Sequence, residues 1–213
     1  MPMHDRTSTT SGTPGLRFWS AGTAGPRVLL IMGYGMRGDI WEPQIEGLKA
    51  NHQLAWYDNR GIGESPRGPK ARWTMADMAN DALGVMDSLG WDRCHLVGVS
   101  MGGMIAQEVA LKASSRLKSL SLIVTHAGGY SIQKLPTLRG VRAFLKANRP
   151  GPERRSEAMK ALLYPKEYLE KADQEALKRQ MRMRLSGTLP KSTVLGQLGA
   201  IARHDTRRRL GRL

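Results

Sequence analysis

Four apolar-rich runs govern what this chain can become: "RVLLIMG" (27–33), "HQLAWYD" (52–58), "CHLVGVS" (94–100) and "LKSLSLIVT" (117–125). The first is apolar at nearly every position, the pattern of a strand covered on both faces. Segments of helical periodicity lie between the runs. In "TMADMANDALGVMDSLG" the apolar Met75, Met78, Ala79, Ala82, Met86 and Leu89 recur at steps of three and four, which puts them on one side of a helix. Thr74, three residues before Asp77, has the polar spacing of a capping box at its start. "GLRFWSAG" (15–22) reads as a further strand, "IWEPQIEGLKAN" (40–51) as a short helix and residues 101–113 as another helix. Such a succession of strand–helix–strand units predicts an α/β fold, a doubly wound and mostly parallel sheet with helices on both faces.

Beyond "HAGG" (126–129) the pattern is helical only. "RGVRAFLKANRP" (139–150), "PERRSEAMKALLYP" (152–165), "KEYLEKADQEALKRQMRMRLSG" (166–187) and "KSTVLGQLGAIARHDTRRRL" (191–210) each read as helix. The formal net charge of +15 is unevenly placed, +2 over residues 1–130 and +13 over 131–213. A basic half can signal nucleic acid or an anionic membrane. Here Lys and Arg are scattered along helical patterns without interleaved aromatics, RNA-binding signatures or zinc-ligand pairs. That texture is a solvated helical face, so no nucleic-acid partner is expected. No run approaches the ~20 apolar residues of a membrane span, and the polar first dozen residues suit a loose tail rather than a signal peptide. Cys94, the one cysteine, sits in an apolar strand pattern; it reads as a small buried hydrophobe, and the expected compartment is the reducing cytoplasm.

Ser100 closes the third run. In an open parallel sheet, chemistry collects at the carboxyl ends of the strands. "GVSMGG" (98–103) places Ser100 on such an end, with Gly98 and Gly102 in a G-x-S-x-G pattern and Gly103 extending the clearance. A bare G-x-S-x-G is a weak signal in a chain with 24 glycines. An apolar strand directly before it and a helix directly after make it a nucleophile elbow, where flanking side chains would collide with neighbouring backbone. The helix start offers N–H groups and a positive dipole end to a developing oxyanion.

Together, G-V-S-M-G-G, the M-G-Y-G of residues 32–35 followed by Trp41, and the D-N-R-G-I-G-E-S of residues 58–65 resemble the α/β-hydrolase superfamily. The branch is that of capped serine esterases, lactonases and haloperoxidase-like proteins, and the likeness runs in order over residues 15–205. It implies that Ser100 is the nucleophile and that the backbone N–H groups of Tyr34 and Met101 are the oxyanion donors. Met32 stands where many relatives carry histidine. Asp58, Arg60, Gly61, Gly63 and Ser65 match a loop that braces the site, Gly33 and Gly35 are turn formers, and Trp41 lines or underpins the pocket. The serine argues against branches that place aspartate at the elbow. The expected organisation is a flexible tail (1–13), a hydrolase core (14–128), a helical cap (129–205) and a basic end (206–213). No phosphate loop, metal-ligand cluster or dinucleotide fingerprint is present, so neither cofactor nor metal is expected, and the implied partner is a small acyl compound.

A serine hydroxyl needs a base, and the base an orienting acid. The family order is Ser, then Asp or Glu, then His, and the resemblance places both after the cap, where this sequence ends. His204 falls in a helical "RHD" that resembles cap. His126 ends the strand beside the nucleophile strand, where it can line the pocket mouth, pack, or substitute as base. His4, His52 and His95 precede the elbow. The strand 117–125 is expected as an exposed apolar edge, open to self-association or to a complementing chain. Three readings stand: a serine hydrolase acting on an ester, lactone or similar acyl compound; a truncated, non-catalytic product that keeps the pocket; and a basic helical half that binds nucleic acid or anionic membrane.

Overall fold

The computed structural model describes residues 6–70, 72–129, 142, 146, 152–185 and 189–213. One six-stranded sheet comprises β1 (Arg6–Thr9), β2 (Arg17–Ala21), β3 (Arg27–Ile31), β4 (Gln53–Tyr57), β5 (Cys94–Val99) and β6 (Leu117–Ile123). Their spatial order is β1-β2-β4-β3-β5-β6. The last four positions in that order are parallel neighbours, and β1 and β2 are added antiparallel at one edge. Helices α1 (Glu42–Leu48), α2 (Met75–Ser88) and α3 (Met101–Ala113) follow β3, β4 and β5. This is the α/β architecture that the alternating runs predict, with its parallel part in the middle of the chain and a mixed sheet overall.

Local chemistry accounts for these elements. α2 starts at the capping box: the Asp77 N–H donates to Thr74 Oγ1 (3.1 Å) and the Thr74 N–H to Asp77 Oδ2 (2.9 Å), which satisfies two donors that a helix start otherwise leaves open. Its Met75, Met78, Ala79, Ala82, Val85 and Met86 join Leu29, Leu96, Ile105 and Val109 in the core. Cys94 is buried there too, as a free thiol that burial pushes up to about 11, so it packs as a hydrophobe.

Two compact units emerge: residues 1–129 with 191–213, and residues 130–190. In the second, α4 (Pro152–Leu163), α5 (Lys166–Lys171) and α6 (Gln174–Arg184) are described, and α4 packs on α6. The stretch 166–187, one helix by its pattern, is interrupted at Asp173, whose carboxylate accepts from the Glu175 and Ala176 N–H groups and caps α6. α7 (Lys191–Arg203) groups with residues 1–129 and not with a cap extending over 129–205. The expected tail also holds structure, since Arg6–Thr9 is β1, paired to β2. The predicted helix at 139–150 lies outside the described residues apart from positions 142 and 146.

His204 is not helical. α7 stops at Arg203, and an antiparallel bridge joins Gly128 to Asp205. The Thr206 N–H donates to the Ala127 carbonyl (2.8 Å) and the Gly129 N–H to the His204 carbonyl (3.2 Å). Backbone groups that would have continued the helix are taken by these cross-links. Among the described residues, no helix is long and apolar enough to cross a membrane.

Candidate active site

Ser100 occupies the turn between β5 and α3, with φ 53° and ψ −120°. A non-glycine residue there is strained by roughly 1–3 kcal/mol and persists only where its surroundings impose it. The surroundings do so. A Cβ on Gly98 would stand 2.4 Å from the Gly102 carbonyl oxygen, and one on Gly102 would stand 2.2 Å from the Ile31 carbonyl oxygen. Strand, helix and the neighbouring β3 therefore meet at distances that only glycine permits. The Ser100 N–H donates to the Ile123 carbonyl (2.9 Å), and the Ser100 carbonyl accepts from the Gly103 N–H (3.0 Å) and from Thr125 Oγ1 (2.8 Å). Ser100 is left exposed.

The loop after β3 presses on it. A Cβ on Gly33 would lie 3.2 Å from Ser100 Cβ and 3.7 Å from its Oγ, so the Gly33–Tyr34 peptide borders the hydroxyl. The N–H of Met101 lies in the first turn of α3, where a helix supplies no acceptor of its own. Trp41 is buried at the end of a 3-10 turn (Gly38–Trp41) and directly precedes α1.

The bracing loop is densely tied. Asp58, fully buried, accepts from the Gly38 N–H at 2.7 Å. Burial pushes its carboxyl up to about 6, against the opposing pull of the Gly38 amide and Arg37. Asn59 Nδ2 donates to the Met32 carbonyl (2.9 Å), and the Ser65 hydroxyl accepts from the Arg17 N–H (2.9 Å). Arg60 forms a buried two-pronged pair with Asp81 (2.5 and 2.9 Å). Burial raises the Asp81 carboxyl although Arg60 opposes it.

The histidines sit differently from the serine. His126 is exposed, and its Nδ1 accepts from the Gly128 N–H at 2.9 Å. Its neutral ring then carries the proton on Nε2. The His204 ring is buried, with Nδ1 3.8 Å from Glu108. Burial lowers its affinity for a proton despite Glu108. Glu108 is itself held by Arg209 in two bonds (2.9 and 2.5 Å). Among the described residues, no cluster of three His, Cys, Asp or Glu could hold a metal ion.

Sequence reasoning missed Thr125, Gln107 and Gln197. Gln107 donates to the His126 carbonyl and accepts from Thr206 Oγ1, which stitches together residues far apart in the chain. The polar pair Gln107–Glu108 inside the otherwise apolar run 101–111 was the available signal.

Comparison with known proteins gives one answer. The family described as alpha/beta hydrolase fold matches residues 26–209. A protein of Azorhizobium caulinodans named "Putative carbamate hydrolase RutD" is 34% identical over 193 residues, covering 88% of this chain and 69% of that protein. A protein of the same name from Variovorax paradoxus is 34% identical over 146 residues, or 66% of this chain and 52% of its own length. The chain thus spans between about half and about two-thirds of the length of the curated relatives it matches. Among solved structures, a hydrolase from Pseudomonas aeruginosa superposes with a TM-score of 0.78 at 26% identity, covering 98% of this chain and 76% of that one. The enol-lactonase from Burkholderia xenovorans LB400 gives 0.76 at 25% identity, covering 95% and 75%.

Proposed function

The chain belongs to the α/β hydrolase fold family, and from that premise we propose that it takes an acyl compound such as an ester, lactone or carbamate at Ser100. In this reading Ser100 Oγ attacks the carbonyl carbon, and the Tyr34 and Met101 N–H groups hold the resulting oxyanion. The observation that carries it is the forced geometry of Ser100: positive φ, an exposed residue, and backbone contacts at Gly98 and Gly102 that only glycine permits. Strain of that kind concentrates at reacting residues. A relative named as a carbamate hydrolase and a neighbour titled an enol-lactonase agree with an acyl carbonyl as the target.

Complete turnover needs a base on the serine. His126, with Nδ1 engaged by Gly128, and the buried His204 favour a second reading for residues 1–213 as they stand. In it, the site binds and acylates but does not cycle. Hydrolysis of p-nitrophenyl acetate separates the two. Steady turnover abolished by Ser100→Ala supports the enzyme. A single burst of nitrophenol, also lost in Ser100→Ala, supports the non-cycling form. Release indifferent to Ser100→Ala overturns both.

A further inference from the structure

α7 carries a fully buried amide, Gln197, 0% exposed. Its Oε1 accepts from the Gly35 N–H at 2.9 Å, and its Nε2 donates to the Arg60 carbonyl at 3.3 Å. The two ends cannot be exchanged, because an N–H cannot accept and a carbonyl cannot donate. One side chain therefore spans the loop after β3 and the loop after β4, from 162 and 137 residues further along the chain.

The helix is docked by other means. A Cβ on Gly61 would lie 2.4 Å from Thr193 Oγ1, and a Cβ on Gly196 would lie 2.6 Å from the Trp73 ring. Arg203 donates to the Trp73 carbonyl at 2.7 Å. Thr193, Gly196 and Arg203 thus make the contacts of α7 with Gly61 and Trp73, and the Gln197 amide goes to the two loops.

We propose that Gln197 is a positioning residue for the oxyanion site. By pinning the Gly35 N–H, it fixes the Tyr34–Gly35 peptide and, through it, the direction of the Tyr34 N–H one residue earlier, beside Ser100. This inference rests on the reading of Ser100 and Tyr34 given above. Its effect is on how Ser100 reacts and on the local motion of residues 33–37, with the rest of the fold intact.

The test uses an alkyl fluorophosphonate on the whole chain. Ser100 Oγ forms a bond to phosphorus, the P–F bond breaks, fluoride leaves and the serine proton passes to water. Gln197→Ala is expected to slow Ser100 labelling by about tenfold, part of the 10²–10³ lost when an oxyanion donor is removed outright. It is also expected to speed amide exchange at residues 33–37 without speeding it in β5. Gln197→Glu supplies the conservative rescue. A neutral carboxyl can accept from Gly35 and donate to Arg60, so its labelling rate relative to the parent chain rises toward one as pH falls. Unchanged labelling in Gln197→Ala overturns the proposal, as does faster exchange spread evenly over the core. If the parent chain is not labelled at Ser100 at all, the reading of the site fails together with the inference. Labelling of the parent and of Gln197→Ala at equal rates overturns the inference alone.

Discussion

β3 and β6 flank β5 on opposite sides, and both reach Ser100, yet they are built in contrasting ways. Val28–Ile31 of β3 are buried, and the loop that follows is tied by Asn59 to Met32, by Asp58 to Gly38 and by Gln197 to Gly35. β6 ends the sheet among the described residues and leaves Leu122 42%, Ile123 41% and Val124 86% exposed. Between the Ile123 carbonyl and the Thr125 hydroxyl, both bonded to Ser100, Val124 is driven to φ 47°. That is a costly conformation for a β-branched residue. The elbow is clamped from a deep, over-determined side and from a thin, exposed one. The β3 side meets Ser100 through close packing at Gly33 and Gly102, whereas β6 and the residue pair after it contribute two hydrogen bonds, with Val124 strained between them.

The contrast is broken most sharply by one substitution made twice. Leu29→Ala in β3 is expected to destabilise by about 2–5 kcal/mol, as for a fully buried leucine. Leu122→Ala in β6 is expected to cost less than about 1 kcal/mol. Urea unfolding of the two variants decides it, and equal losses would remove the asymmetry.

Asp58 sharpens the deep side through pH. Its folded carboxyl is raised to about 6, above the usual ~3.9 of an unfolded aspartate. The folded state then binds more protons between those values, so this group's contribution to stability falls as pH rises from about 4 to about 6. The shift corresponds to at most about 3 kcal/mol. Asp58→Asn keeps the acceptor for Gly38 and should flatten that part of the profile, measured by thermal unfolding across the window. A parent profile already flat there would mean that the carboxyl is not raised.

On the exposed side, Thr125→Val removes one hydrogen bond to the Ser100 carbonyl. About 1 kcal/mol of stability should go with it, well below the loss expected for Leu29→Ala. A loss as large as that of Leu29→Ala would show that β6 holds the elbow as firmly as β3.

Much of this was legible in the sequence because its signals are local. The runs at 27–33, 52–58, 94–100 and 117–125 gave their strands by composition, Thr74 and Asp77 gave a helix start by spacing, and glycines flanking Ser100 gave the elbow. What escaped notice depends on partners far along the chain. Gln197 reads as one polar residue in an amphipathic helix until its two partners, 162 and 137 residues away, are known. Thr125 looked like the polar end of a strand. His204 fitted a helical pattern, and only its backbone pairing with Gly129 and the neighbouring Gly128–Asp205 bridge take it out of the helix. Asp173 is hidden for the opposite reason. It is a local cap inside a segment whose overall periodicity remained helical on both sides.

The central claim is the proposal that Ser100 is a nucleophile, held in a strained turn by the strands on either side of it. Treating the folded chain with a fluorophosphonate and mapping the adduct by peptide mass spectrometry tests it most directly. The account predicts one adduct per chain, on the peptide that carries Ser100, absent after Ser100→Ala and after unfolding in urea. Adducts scattered over several serines, or labelling that survives Ser100→Ala at the same rate, would contradict it.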